Sequence, residues 1–513
     1  MHAALRIDEV FLRIVEALDQ DTAPSTLSIL ARTCRAFHEP ATDVLWSTQI
    51  SLGPILRLIP GLEIYVERKS QLRPAYDDLL ADLLPAQPSF DHFLFRIGSE
   101  GFGSDDLALF DKYAAKIKRI RTPRAWPEIG WGRYRLYRFY TIQVPVLAAL
   151  HAVRPISCFP QLRYLRWPIL ELEFHGDEKP YEHFISMFFG PNLSELHLHT
   201  EISPLLQYTL KEACPSLESF KFTFIPYYGY LGFFQGWARL KSLEFTGVWN
   251  HADTWSVPAL LPNLESLTLC IDQSEELGLR GRREERDRTL VHIYPSLRSF
   301  DLTVKRGVTS QVSALLTLLS CPRLEDLEIR FPWERVAIEQ PAMSLFQSIS
   351  HMCSPGALQK LKITTSIPSR VQDLFAPFEA IRPLLFFPII HTLHCEIPFV
   401  DLDDAKILEI TQAWRSLVSL HLESKQPDDH TPAVDHITLK ALEHLSKNCP
   451  NLKGFYATVD ARSIPELPSP TSTNPETDDL AERCKLASLS FVDSSIDDPE
   501  SCLLRTCFLC FLH

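Results

Sequence analysis

The chain has 513 residues, 45% of them hydrophobic and 22% charged, with a formal net charge of −13. That length exceeds one ordinary domain, so several domains or a repeat array with a sizeable buried core is expected. The acidic balance argues against a nucleic-acid binder, which needs a basic surface.

No basic segment followed by an apolar run stands at the N-terminus, so a secretory signal is not expected. The most apolar internal stretch, residues 383–395, is short and holds Pro383 and Pro388, which excludes it as a membrane span. Twelve cysteines are too sparse for a disulfide scaffold. Cys214, Cys321 and Cys449 each precede a proline at the same point of a repeat. That is the usage of small buried residues in a reducing compartment, cytoplasmic or nuclear.

The first predicted element is a helix over residues 7–18, with Val10, Phe11, Ile14, Val15 and Leu18 on one face and Arg13 and Glu16 opposite. Residues 22–46 then place Leu27, Leu30, Cys34 and Phe37 at helical spacing. Pro40 is expected to interrupt them, and Val44, Leu45 and Trp46 close the unit. A unit this small can hardly bury all these side chains by itself, so it should either dock on a partner or cap the first repeat. Residues 51–112 are expected to form a helical linker region.

Residues 113–122 offer Ile117 and Ile120 as a first motif pair. Residues 123–159 fit no repeat and include GWGRYRLYRFYT (130–141), where arginine alternates with tyrosine. It reads as a phosphate or nucleic-acid patch, or as an irregular insertion whose arginines stack on aromatics; the missing wider basic field favours the second.

From residue 160 onward the pattern apolar-x-x-apolar-x-apolar recurs, often after Pro-x, as in PQLRYLRW (160–167), PNLESLTL (262–269) and PRLEDLEI (322–329). The motifs begin at Leu162, Leu193, Leu217, Leu240, Leu264, Leu297, Leu324, Leu358, Ile390, Leu417, Leu452 and Leu486. A mean spacing of about 29 residues suits leucine-rich repeats. In x-L-x-L-x the leucines point to one side of a strand and the intervening residues to the other. Glu195, His197 and His199, or Ser299, Asp301 and Thr303, form such an outward set. Residues 313–321 and 439–449 carry leucines at helical spacing between motifs.

The expected fold class is therefore α/β: a leucine-rich-repeat-like solenoid, a curved parallel sheet with outer helices, preceded by a small helical unit. The boundaries are 1–50 for the head, 51–112 for the linker region, 113–500 for about 12–13 irregular repeats, and 501–513 for an atypical tail. Burying three motif side chains contributes roughly 5–9 kcal/mol per repeat as an upper bound, and only once neighbouring repeats cover them.

Outward charges change sign between neighbouring motifs: Glu328 and Arg330, then Lys360 and Lys362. A mixed surface suits a protein partner, so these four are the candidate substrate footprint. The pairs His197/His199 and His391/His394 lack a third ligand nearby, and no glycine-rich phosphate loop is present. No metal, cofactor or catalytic site is expected. Residues 279–288 read as an exposed charged loop, and 463–479 as a Pro/Ser/Thr-rich loop open to phosphorylation. The tail is apolar, with Cys502, Cys507 and Cys510, where a solenoid should end in a polar cap.

The head resembles an F-box. The residues that carry the likeness are Glu9, Val10, Phe11, Ile14 and Leu18; Leu27, Leu30, Cys34, Arg35 and Phe37; and Leu45 and Trp46. Arg6-Ile7 stands where the family usually opens with Leu-Pro. With the repeat body, the whole chain is similar to fungal F-box proteins that carry a C-terminal leucine-rich-repeat-like domain. The resemblance implies a three-helix plug docking a Skp-type adaptor and, through it, a cullin, with the repeats holding an unknown protein substrate for ubiquitination. It implies no enzymatic activity in this chain, and neither nucleic acid nor membrane as partner. The alternative is a leucine-rich-repeat scaffold with no link to ubiquitination.

Overall fold

The strands of the repeat body share one way of starting. In the segment Pro-x-Leu, proline presets φ at about −65° for the second position of a tight turn. The leucine N–H closes the turn on the carbonyl three residues back. Leu162 N donates to Phe159 O at 3.0 Å, Leu217 N to Cys214 O at 3.3 Å, and Leu324 N to Cys321 O at 3.2 Å. Leu452 N likewise donates to Cys449 O at 3.0 Å, and Leu417 N to Trp414 O at 3.1 Å although arginine there replaces proline.

Successive turns are stitched by side chains. Asn192 Nδ2 donates to Pro160 O at 2.9 Å, Asn263 Nδ2 to Ala238 O at 2.7 Å, and Ser296 Oγ to Pro262 O at 2.7 Å. The residue that opens each turn points inward: Phe159, Cys214, Trp237, Leu261, Tyr294, Cys321, Phe387, Trp414 and Cys449 are all buried. This explains the Cys-Pro usage, because cysteine is one of several residues able to fill that slot. Burial pushes the thiols of Cys214, Cys321 and Cys449 up to about 12, so they stay protonated and inert. Every described cysteine is a free thiol.

The computed structural model describes residues 13–15, 17–18, 24–69, 90–99, 101–121, 139–155, 157–167, 182–198, 204–222, 234, 236–247, 256–272, 291–306, 309–332, 339–366, 376–399, 401–424, 437–460 and 488–491. Glu9, Val10, Phe11, His199, the loops 279–288 and 463–479, most of 130–141 and the tail 501–513 lie outside these residues. The chain divides into two compact units, residues 1–233 and 234–513.

The first unit contains β1 (Thr48–Gln49), β2 (Leu62–Lys69), β3 (Phe90–Ile97), β4 (Arg119–Ile120), β5 (Phe139–Ile142), β6 (Tyr164–Trp167), β7 (Glu195–Leu198) and β8 (Ser219–Phe222). Strands β1, β4, β6, β7 and β8 pair side by side, all parallel. The second unit contains β9 (Ser242–Gly247), β10 (Ser266–Asp272), β11 (His292–Ile293), β12 (Ser299–Arg306), β13 (Leu319–Ser320), β14 (Asp326–Pro332), β15 (Lys360–Ser366), β16 (Thr392–Phe399), β17 (Ser419–Ser424), β18 (Gly454–Ala457) and β19 (Ser488–Phe491). Its parallel ladder runs β9-β10-β12-β14-β15-β16-β17-β18-β19, and β11 pairs with β13 apart from it.

Burial alternates along these strands as the motif requires. In β14, Leu327, Ile329 and Phe331 are buried, while Asp326, Glu328 and Arg330 face outward. Every motif-opening apolar residue from Leu162 to Leu452 is buried; Leu486 lies outside the described residues. Parallel strands need crossovers. Some are helices, such as Pro204–Ala213, Thr309–Leu316, Glu339–Met352, Asp404–Ala413 and Lys440–Asn448. Others are single turns: Glu182–Ile185, Ser256–Ala259 and the 3-10 turns Phe378–Ala380 and Arg382–Phe386. The fold is an α/β leucine-rich-repeat-like solenoid. No helix among the described residues is long and apolar enough to cross a membrane.

Two regions differ from expectation. Residues 51–112, expected as a helical linker, carry β2 and β3, which pair antiparallel; β5 then joins β3 in parallel. The period-two runs LEIYVERK and FDHFLFRI suit strands, and the pairing satisfies their backbones. The β2 turn depends on a close backbone approach: a Cβ on Gly61 would lie 2.0 Å from Gly101 O. The strand residues 139–141 of the arginine–tyrosine stretch are thus spent on this sheet.

The second difference concerns Pro40. It does not break the head but lies inside the helix Arg35–Ser47. The helix needs the φ that proline has, and the carbonyl deprived of its partner belongs to exposed Ala36, where water reaches it. The break falls instead at Cys34, which is extended (φ −158, ψ 163) between Pro24–Thr33 and Arg35–Ser47.

Candidate partner-binding surfaces

The head is built around Val15, Leu27 and Phe37, with Leu18, Leu30, Cys34, Val44 and Leu45 packed against them. Ile14 is 43% exposed and Ile29 65% exposed. The sequence groups Ile14 with Val15 on one apolar face, and the structure separates them: Val15 turns to the core and Ile14 to solvent. Trp46 belongs to neither group, stacking on Tyr113 with ring centroids 4.6 Å apart.

The head is fastened to the first strands of its unit. Strand β1 follows directly from the helix Arg35–Ser47 and pairs with β4. Lys118 N donates to Ser47 O at 2.8 Å, and Arg121 N to Gln49 O at 2.9 Å. Lys116 Nζ donates to Glu39 at 2.6 Å and also to Asp43. Burial works against the Lys116 charge, but the two carboxylates outweigh it and raise its pKa. The hydrogen bond from Lys116 holds the Glu39 carboxyl below its usual value.

A second surface is the outward face of the ladder in residues 234–513. One register row runs Glu244, Thr268, Asp301, Glu328, Lys362, His394, His421, Tyr456, Ser490. The four charged residues singled out in the sequence come together in it and the adjoining rows. Arg330 Nη2 lies 2.8 Å from Glu328 Oε1, and Lys362 Nζ 2.8 Å from the same oxygen. Arg330 also reaches Asp301 at 3.3 Å and Thr303 Oγ1 at 3.2 Å, and Lys360 lies 3.7 Å from Asp326.

Asp301, Asp326 and Glu328 thus neutralise Arg330, Lys360 and Lys362, leaving a patch with little net field. Burial would raise the Glu328 carboxyl, but the hydrogen bonds from Lys362 and Arg330 hold it below the ordinary value. At Asp301 burial wins over Arg330, helped by Glu328 and Glu244, and the carboxyl is raised.

Beyond the charges the row turns to rings. His394 and His421 lie with centroids 4.1 Å apart, and His421 and Tyr456 5.5 Å apart. His394 Nε2 lies 3.0 Å from Glu396 Oε1. In the first unit Tyr164 meets His197 edge-on at 5.0 Å, and Arg119 lies over the Tyr164 ring at 5.0 Å. Sequence reasoning weighed the histidine pairs as outward-facing residues or metal ligands and missed this stacking, which comes from the segments LHC (393–395), LHL (420–422) and FYA (455–457) aligned in one register. Among the described residues no group of three metal-ligating side chains forms. A shallow cavity of about 430 Å³ lies elsewhere, lined by Ser350, His351, Pro355, Glu379, Arg382, Pro383, Phe386 and Phe387.

No protein-family model matches the chain, and no curated protein matches it in sequence. Solved structures match it in fold. A TLR13–ssRNA13 complex is similar over 70% of this chain and 46% of that one, with 15% identity and a TM-score of 0.33. The chain therefore spans less than half the length of the TLR13 chain. A leucine-rich-repeat protein of Leptospira interrogans matches over 78% of this chain and 72% of its own, at 12% identity and a TM-score of 0.33. The Rad7–Elc1 complex of yeast matches over 78% and 86%, at 15% identity and a TM-score of 0.33. At these identities the likeness is one of fold.

Proposed function

We propose that this chain is a non-enzymatic substrate-recognition subunit of a Skp–cullin–F-box type ubiquitin ligase. Its head docks a Skp-type adaptor and, through it, a cullin, while its repeats bind a protein substrate. The observation that carries this reading is the exposure of Ile14 and Ile29 on a head whose own core is already filled by Val15, Leu27 and Phe37. Two exposed isoleucines on so small a unit support a docking role for it. The F-box resemblance names the partner.

The fastening of the head supports the same reading. A receptor must hold its docking end in fixed geometry relative to its repeats, and the β1–β4 pairing with the Lys116 ion pairs does so within the first unit. That fastening also favours a second reading, a scaffold whose head merely caps the ladder. Capping accounts for Trp46, which rests on Tyr113, but not for Ile14 or Ile29.

The test is co-expression of the full chain with a Skp-type adaptor, comparing the native chain with an Ile14→Asp/Ile29→Asp variant. Both carboxylates would stay hydrated, so folding should be unaffected by circular dichroism. The adaptor should co-purify with the native chain and be lost from the variant. Undiminished adaptor on the variant refutes the docking surface; a native chain that retains other partners but no adaptor establishes the scaffold.

A further inference from the structure

The three rings on β16, β17 and β18 pack against one another. His394, His421 and Tyr456 occupy one register position on successive strands. His394 and His421 lie with centroids 4.1 Å apart and planes 39° apart, and His421 and Tyr456 5.5 Å and 22° apart. Each ring therefore covers a face of its neighbour, with His421 in the middle of the stack. All three are half-buried.

Both ends of the stack are tied down. Glu396 Oε1 lies 3.0 Å from His394 Nε2, and Glu396 Oε2 accepts from Thr365 N at 3.0 Å. Tyr456 Oη and Ser488 Oγ are 2.7 Å apart. A Cβ on Gly454 would stand 3.2 Å from Tyr456 Cε2, so glycine there leaves the phenol its place.

Charges surround the two imidazoles unevenly. On β15, Lys362 stands beside His394 in register but reaches Glu328 on the far side at 2.8 Å, and Lys360 lies 3.7 Å from Asp326. On β16 Glu396 meets His394 directly. On β17 Glu423 stands two residues beyond His421, on the same strand face. β18 contributes the Tyr456 phenol and β19 the Ser488 hydroxyl. A proton on His394 is thus met by a carboxylate in contact. A second proton, on His421, adds a like charge 4.1 Å away in a half-buried place. Burial, and then His394, hold His421 below its ordinary value against the opposing pull of Glu396.

We propose that this stack is an acid-released latch: it closes the outward face of β16, β17 and β18 while both imidazoles are neutral, and their protonation turns His421 out and loosens the three strands. Histidine is the side chain whose ordinary pKa places such a change near neutrality. A depressed folded pKa means that the neutral ring's contribution is complete above the unfolded value of about 6.5 and is lost as pH falls towards the folded one. Phenylalanine in the same position gives the same cover without the proton. The latch needs neither the adaptor nor a substrate, so it stands or falls apart from the docking head.

The test follows amide hydrogen exchange of the full chain between pH 7 and pH 5.5, with rates corrected for the intrinsic effect of pH. Protection in β16, β17 and β18 should fall at least about threefold, within the tenfold that one unit of depression allows. Strands β9 and β10 carry no histidine and should hold their protection. His421→Phe should abolish the fall. In ¹³C-histidine spectra, assigned through His394→Gln and His421→Gln, His421 of the native chain should titrate below free histidine and move back towards it in His394→Gln. Unchanged protection in the native chain, an equal fall in His421→Phe, or a His421 that titrates as free histidine overturns the proposal. The native titration decides even where His421→Phe fails to fold.

Discussion

Leu267 and Thr268 are neighbours in the chain, yet the ladder assigns them opposite fates. Leu267 is buried and stands in register between Leu243 and Phe300, both buried as well. Replacing it with alanine removes three carbons, worth about 2.4 kcal/mol of transfer free energy at 0.8 kcal/mol each. A cavity term adds to this, because β9 and β12 hold β10 by backbone hydrogen bonds on both sides and cannot close the gap. The total should be about 3–5 kcal/mol. Thr268 sits half-exposed between Glu244 and Asp301, and its replacement by alanine should cost at most about 0.5 kcal/mol. A repeat array need not unfold in one step, so the readout is hydrogen exchange of β9, β10 and β12. Leu267→Ala should raise exchange in all three strands and Thr268→Ala in none. Equal effects at the two positions would refute the register.

Four further outcomes are expected. Glu328→Gln should lower the unfolding midpoint at pH 7, because its folded pKa is depressed and its contribution is present above the unfolded value, disappearing as pH falls through the folded one. Asp301→Asn should be neutral or stabilising at pH 7, because a raised folded pKa means that the charge costs stability once pH exceeds the unfolded value; each effect should be about 1 kcal/mol or less, and the reverse order in thermal unfolding would contradict the assignment. Gly61→Ala should destabilise the three-stranded sheet by about 1–3 kcal/mol, since its methyl meets backbone at Gly101 and not a movable side chain; unchanged exchange in β2 and β3 would count against that packing. Lys116→Met should speed exchange in the helix Arg35–Ser47 by removing the ion pairs to Glu39 and Asp43, at a cost of no more than about 1 kcal/mol for such exposed partners; no change there would show that Trp46 and β1 alone hold the head.

The charged patch illustrates a limit of reading side chains one at a time. Glu328, Arg330, Lys360 and Lys362 look like free charges in the sequence, whereas in the ladder they satisfy one another and Asp301 and Asp326. Register made them partners, and register is a property of neighbouring strands.

The sequence by itself determined what depends on short-range periodicity. A period of two fixes which side of a strand is buried, so Leu327 and Ile329 are legible as core and Glu328 and Arg330 as surface. Proline two residues before the first leucine marks the turn, because its φ is set by its own ring. Only the tertiary structure decided the rest. Ile14 and Val15 lie on one broad apolar stripe, and the position of Leu27 and Phe37 chose Val15 for the core. β2, β3 and β5 pair across long stretches of chain, and no local pattern states which strand a strand will meet. His394, His421 and Tyr456 come from separate repeats and become one surface because parallel stacking brings equal positions to adjacent strands.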